Sequence, residues 1–277
     1  MKRETHLLNE LHAARFTGSN PKYALVMSHG LASHGGIYDI FCERHAALGA
    51  DIWSYDAPGH GKSTTNRPRG QWTMAEWAQA SRDWAMHVKA ETGLPAFTLG
   101  SSLGVAAAIS AIDSDDVTGA ICMGSPAVPG SPILKMMGEA WRSDAVKQVL
   151  EQLGRAARLD ISIFFNFDED YGYAGASEQK RLDPWNTWSY DLASWASLMQ
   201  YDPPQPPEEN TKPVFYTAGE NDPSFPPEVI KMAADAIGGP VTLKIFNGTG
   251  HQLMLFDTDR FSDAVRAFCL SALGAKE

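Results

Sequence analysis

The stretch Ala96-Phe97-Thr98-Leu99-Gly100-Ser101-Ser102-Leu103-Gly104-Val105-Ala106-Ala107-Ala108 decides the fold. Four residues of strand character run into a glycine, and an apolar, alanine-rich stretch, Leu103–Ile112, leaves on the other side. This reads as a buried strand, a tight turn and a helix. The turn carries the pattern G-x-S-x-G, from Gly100 to Gly104. Five such residues alone arise readily by chance, so their weight comes from the strand before and the helix after. Side chains at positions 100 and 104 would collide across so tight a turn, which suits glycine at both. Ser102 would then project its hydroxyl from the sheet edge in a strained backbone conformation. The bland alternative is a glycine-rich turn with an ordinary N-capping serine.

Working outward, the same rhythm recurs. Short apolar runs ending at breakers predict strands at Tyr23–Ser28, Asp51–Asp56, Ala96–Leu99, Val117–Met123, Pro213–Ala218 and Val241–Phe246. The first strands are expected within Leu7–Thr17. Helical spacing appears at Ile37–Leu48, Trp72–Ala90, Leu103–Ile112, Pro227–Ile237 and Thr258–Leu273. Strands alternating with helices predict parallel βαβ units in a doubly wound α/β sheet, mostly parallel and flanked by helices. Residues 126–210 break the alternation. They are aromatic between Phe164 and Tyr201 and close on the stiff linker Pro203-Pro204-Gln205-Pro206-Pro207-Glu208-Glu209. The expected organisation is a core of residues 1–125 and 211–277 with an inserted helical cap at 126–210.

A serine hydroxyl is a poor nucleophile near neutral pH and needs a base, itself oriented by a third group. Among eight histidines, His251 in Gly248-Thr249-Gly250-His251 follows the last strand. It therefore falls at the carboxyl edge of the sheet, with Ser102. His6, His12, His45 and His87 fall on a tail, a strand and helices, where a solvated or packed histidine suffices. Asp222, in Gly219-Glu220-Asn221-Asp222-Pro223, is the best orienting carboxylate. Glu220 is its rival, and Asp257 follows His251 too closely. Asp222 could instead cap the helix that starts near Pro226; the order Ser, Asp, His favours the catalytic role. Two backbone N–H groups should meet the oxyanion: Leu103 after the nucleophile, and Leu31 in the loop His29-Gly30-Leu31-Ala32-Ser33-His34-Gly35-Gly36. The run Gly59-His60-Gly61-Lys62-Ser63 mimics a phosphate loop, but Ala57 stands where the first glycine belongs, so it is expected to be a structural turn.

Composition narrows the classes. The 277 residues are 44% hydrophobic and 20% charged, enough to bury a core. A net charge of −10 argues against a nucleic-acid partner. Three scattered cysteines, Cys42, Cys122 and Cys269, form neither a disulfide framework nor a zinc site. The first residues lack the apolar run of a signal peptide, and no stretch approaches a membrane span. A soluble, cytoplasmic chain without stable membrane insertion is expected.

These residues together resemble the α/β-hydrolase superfamily, in its monoacylglycerol lipase and lysophospholipase-like branch. The matching pieces are His29-Gly30 with His34-Gly35 and Tyr38, Asp56 with Gly59-His60-Gly61-Lys62-Ser63, the elbow around Ser102, Gly219 with Asp222, and Gly250-His251. The resemblance implies the α/β-hydrolase fold, a triad of Ser102, Asp222 and His251, an oxyanion hole at Leu31 and Leu103, and a cap that shapes the pocket. Ser101 and Val105 stand where the family often has histidine and glycine; neither adds bulk at Gly100 or Gly104.

The expected activity is hydrolysis of a small-molecule carboxylic ester through an acyl-enzyme, with no metal and no organic cofactor. Phe164, Phe165, Phe167, Tyr171, Tyr173, Trp185, Trp188, Tyr190, Trp195 and Tyr201 suggest an apolar or aromatic ester, unless they only form the cap's own core. The same triad could serve acyl transfer, carbon–carbon or amide hydrolysis, or lyase chemistry. A ligand receptor on the same fold, its triad idle, is the alternative of another class.

Overall fold

Each short apolar run becomes a strand of one eight-stranded sheet. The computed structural model describes residues 2–64 and 66–275. In chain order the elements of the first half are β1 (Lys2–Leu8), β2 (Leu11–Thr17), β3 (Tyr23–Ser28), α1 (Asp39–Ala47), β4 (Ala50–Tyr55), α2 (Met74–Thr92), β5 (Ala96–Ser101), α3 (Gly104–Ser110) and β6 (Val117–Met123). After a long insertion come β9 (Val214–Gly219), α9 (Pro227–Asp235), β10 (Val241–Phe246), α10 (Leu253–Phe256) and α11 (Thr258–Ala272). The strand order is β1-β2-β4-β3-β5-β6-β9-β10. β1 and β2 pair antiparallel, as do β2 and β4; all other neighbours are parallel.

β3, β4, β5 and β9 are buried along their whole length, which is why they read as continuous apolar runs rather than alternating ones. Alternate residues serve opposite faces. Ala24 and Val26 pack with Trp77, Trp84 and Val88 of α2 and with α3 and α9. Leu25 and Met27 pack with Phe41 of α1 and with Phe261 and Val265 of α11. Each large side chain so buried contributes about 1.5–3 kcal/mol. α2 starts at a capping box, in which the Thr73 hydroxyl accepts from the Glu76 N–H while the Glu76 carboxylate accepts from the Thr73 N–H.

The insertion between β6 and β9 holds α4 (Pro132–Gly138), α5 (Asp144–Leu153), β7 (Arg158–Asp160), α6 (Phe167–Tyr171), α7 (Ala176–Leu182), β8 (Ser189–Asp191) and α8 (Leu192–Gln200). It is helical apart from one antiparallel pair, β7 with β8, three residues each and too short to leave a signature in the sequence. Ile161, Phe167, Tyr190 and Leu198 join the same core cluster as α2. The insertion is also tied down by polar contacts: the N–H groups of Trp72 and Met74 each donate at 3.0 Å to a serine hydroxyl of α8, Ser194 and Ser197.

One expectation shifts. The first strand begins at Lys2, not within Leu7–Thr17, and His6 lies on it rather than on a tail, its ring 4.4 Å from that of Trp53. An edge strand that is largely exposed needs no apolar alternation, so Lys2-Arg3-Glu4-Thr5-His6 concealed it. Among the described residues, no helix is long and apolar enough to cross a membrane.

Candidate active site

The turn between β5 and α3 is as tight as its glycines imply. A Cβ on Gly104 would stand 2.4 Å from the Ser28 carbonyl oxygen, and one on Gly100 2.4 Å from the Gly104 carbonyl oxygen. Ser102 sits between them with φ +51°, a left-handed conformation that costs a side-chain-bearing residue about 1–3 kcal/mol. Its N–H donates to the Met123 carbonyl at 2.8 Å, and the Val105 N–H donates to its carbonyl at 3.0 Å. These bonds hold the strained residue and leave its hydroxyl free of backbone partners. The same turn thus departs from a simple N-cap.

His251 and Asp222 meet from two different loops. The His251 Nδ1–H donates to Asp222 Oδ2 at 2.7 Å, and both residues are buried. The other oxygen, Oδ1, accepts from the N–H groups of Ser224 and Phe225 at 2.8 and 3.0 Å. Asp222 is therefore both the imidazole's partner and the anchor of its own loop. Burial opposes charge on His251, but the bond to Asp222 and the carboxylates of Asp170 and Asp222 outweigh it and raise the imidazole pKa. The rivals lie elsewhere: Glu220 accepts from the Gly248 N–H at 2.9 Å, and Asp257 pairs with Arg260.

Ser102 and His251 line one small cavity of about 20 Å³, room for about a single water. Among the described residues they are not directly hydrogen-bonded. Ser102 also faces a second, larger cavity of about 330 Å³, whose walls are Leu31, Leu103, Leu134, Trp195, Met199 and Phe225 with other apolar side chains. Phe164 and Phe165 line it too, whereas Tyr171 and Trp188 each pack edge-on against Phe167. Phe167 and Tyr171 also line the small cavity, and Tyr173 and Trp185 are exposed, so the aromatic residues of the insertion serve more than the pocket wall.

The backbone of Leu31 and Leu103 flanks the serine. A Cβ on Gly30 would lie 2.9 Å from the Ser102 Cβ, so only glycine lets that loop come so near. Neither the Leu31 nor the Leu103 N–H has a protein acceptor among the described residues. Next along the loop, Ala32 adopts φ +49°, and its N–H donates to the Tyr190 hydroxyl at 2.8 Å. That hydroxyl lies 3.2 Å from His60 Nε2, while His60 Nδ1 lies 2.9 Å from the Pro58 carbonyl. Burial holds the His60 pKa down to about 4, so the ring is neutral near pH 7. Nδ1 then donates to Pro58, and Nε2 accepts from Tyr190. Asp56 ties the same region together by accepting from the Gly35 and Lys62 N–H groups at 2.7 and 2.8 Å. The Lys62–Ser63 turn is accordingly structural.

Asp170 and Gln252 escape the sequence reading, and Tyr190 enters it only as one of the aromatic residues of the insertion. All are buried beside the site. Tyr190 and Asp170 belong to the insertion, and no motif or spacing marks them. Gln252 follows His251 directly, and its position was the one available signal.

The sequence and the fold have relatives. A monoglyceride lipase homolog of monkeypox virus is 29% identical over 165 residues, 55% of either chain. Human monoglyceride lipase is 33% identical over 93 residues, 32% of this chain and 29% of that one. The matched regions thus span about half of the viral protein and under a third of the human one. The solved monoacylglycerol lipase of Paleococcus ferrophilus superposes with a TM-score of 0.70 at 20% identity, covering 95% of this chain and 99% of that one. A carboxyl esterase of Bacillus coagulans gives 0.73 at 16%, covering 98% of both. These likenesses at low identity establish the α/β-hydrolase fold. The family described as serine aminopeptidase, S33, matches residues 19–259, nearly the whole chain. With the sheet order, the elbow at Ser102 and that match in hand, the chain belongs to the serine aminopeptidase S33 family of hydrolases.

Proposed function

We propose that the protein is a serine hydrolase that cleaves carboxylic esters of apolar or aromatic small molecules, monoacylglycerol-like or lysophospholipid-like esters among them. The observation that carries this reading is the position of Ser102, at the junction of a large apolar cavity and a small one that it shares with His251, whose Nδ1 is held by Asp222. The names of the matched relatives, monoglyceride lipases, agree with it. Residues 126–210 act as a cap on a core of residues 1–125 and 211–277, and supply most of the apolar wall.

In this mechanism His251 takes the proton of Ser102 as the oxygen attacks the ester carbonyl. The Leu31 and Leu103 N–H groups receive the oxyanion, each worth a factor of about 10²–10³ in rate. Asp222 holds Nδ1 and stabilises the imidazolium, which protonates the departing alcohol. Water entering the small cavity then loses a proton to His251 and attacks the acyl-enzyme, releasing the acid. The acyl group occupies the apolar cavity, whose volume suits a chain of medium length.

The test is hydrolysis of p-nitrophenyl butyrate and octanoate and of a monoacylglycerol, with fluorophosphonate labelling and mapping of the modified residue. The intact protein should turn over these esters and be labelled at Ser102. Ser102→Ala should lose at least about 10³-fold in kcat and all labelling. Equal turnover by the two proteins would reject the assignment.

A further inference from the structure

Asp170 has no part in the mechanism above, yet it is the second carboxylate at the imidazole. It lies on α6 and is buried, only 6% exposed. Its Oδ1 stands 4.0 Å from His251 Nε2, the ring nitrogen left over once Nδ1 is bound to Asp222. The same Oδ1 accepts from the Ser224 hydroxyl at 2.9 Å, and Oδ2 from the Gln252 side-chain amide at 3.4 Å. Ser224 is two residues from Asp222, and Gln252 adjoins His251. A single side chain of the cap thus grips both loops that carry the base and its orienting acid. It does so inside the small cavity that Ser102 and His251 share.

Resting on the proposed triad, we infer that Asp170 is a positioning residue for His251: with Asp222 it flanks the imidazole from both ring nitrogens, so that the base is complete only when the cap is docked. Glu169 of α6 and Asp257 line the outer opening that His251 and Asp170 share, and the other groups facing the ring and this carboxylate are few. Asp222 is the first. Tyr38 and Tyr171 line the same cavity, and burial raises both their pKa values, that of Tyr38 to about 12, so they stay neutral. Lys180 of α7 donates to the Tyr171 hydroxyl at 3.2 Å; burial lowers its pKa to about 8, against the pull of Asp170 and Asp183. Lys180 carries positive charge at neutral pH and partly offsets Asp170, but it leaves a net negative environment around His251. A carboxylate on the Nε2 side favours the imidazolium that forms in both acyl-transfer steps. It also withholds the neutral base at acid pH.

The test reads the ring itself, so it does not depend on ester turnover. Histidine labelled with ¹³C at Cε1 is followed by NMR through a pH titration in Ser102→Ala protein, with the His251 signal assigned by its absence in His251→Gln. The His251 midpoint should lie above about 6.5 and fall by about one pH unit in Asp170→Asn. Asp170→Glu should restore most of it. If Asp170→Asn does not fold, Asp170→Ser removes the same charge and is titrated instead. An unchanged midpoint in a folded, charge-removed variant overturns the inference. With Ser102 intact, the acid limb of kcat/KM for p-nitrophenyl butyrate should move down with the midpoint, a change that a purely structural role for Asp170 would not produce. Absence of any ester turnover by the unmodified protein would instead count against the proposed function, and the NMR midpoints would still decide the role of Asp170.

Discussion

Asp222 shows how one side chain is given two tasks by its two oxygens. Oδ1 is committed to the Ser224 and Phe225 N–H groups, so only Oδ2 can reach the imidazole. The carboxylate cannot rotate away without losing backbone bonds, and the ring is therefore held in the tautomer with Nδ1 protonated. In Asp222→Asn the amide can keep one of these sets but not both, because its nitrogen does not accept. The expected result is a fall in kcat of about 10³–10⁴-fold with KM little changed. Loss of one charge-assisted bond should also cost about 1.5–3 kcal/mol of stability. Steady-state kinetics beside a urea titration separates the two. A large stability loss with kcat intact would assign Asp222 to capping alone. The raised pKa of His251 has its own sign: the base is neutral only above that value, so the acid limb of the pH profile should lie above the 6.5 of a free histidine.

At the scale of elements, the strands were legible and the contacts between distant elements were not. β3 and β9 announce themselves because both faces are covered, and α2 because Trp77, Trp84 and Val88 recur on one side. The elbow was legible since Gly100 answers a local collision with position 104, although Gly104 answers the approach of the Ser28 carbonyl from the neighbouring strand. Asp222 and His251 could be placed at one sheet edge from order alone, though not at 2.7 Å. Tyr190 and Asp170 had no such local cause: each acts on a loop far along the chain, 158 residues away for Tyr190 and Ala32. The strand β8 carries Tyr190 onto the loop that presents the Leu31 N–H, and a left-handed Ala32 is held there by the hydroxyl. Tyr190→Phe keeps the ring packing and removes both the acceptor of the Ala32 N–H and the donor to His60 Nε2. We expect kcat to fall about 10–100-fold with KM nearly unchanged, since in the proposed mechanism the loop's N–H would serve the oxyanion rather than the ground state. A transition-state-like phosphonate should lose affinity in proportion. A rise in KM alone would show that Tyr190 shapes the pocket instead.

For the whole molecule, buried histidines set the response to acid. His29, His45 and His60 are fully enclosed, and burial depresses all three pKa values, to about 3 for His45 and about 4 for His60. The unfolded chain binds protons at these sites near pH 6.5 while the fold does not. Stability is therefore full above about 6.5 and is lost as pH falls below it, by about 1.4 kcal/mol per pH unit for each histidine. At pH 5 each costs about 2 kcal/mol, and the three together rival the net stability of an ordinary domain, about 5–15 kcal/mol. His251 acts in the opposite direction. Its folded pKa is raised, so its contribution is present below the unfolded value and fades as pH rises through the folded one. One such group offsets only part of three, and the melting temperature should drop steeply between pH 6.5 and 5. His45 tests the cause, because it lies away from the site, its Nε2 2.8 Å from the Tyr23 hydroxyl. His45→Gln keeps a polar partner for Tyr23 but cannot titrate. It should lower stability at pH 7 yet flatten the dependence between pH 6 and 4 by close to one proton, about 1.4 kcal/mol per pH unit. An unaltered slope in urea titrations across that range would place the acid sensitivity in the carboxylates instead.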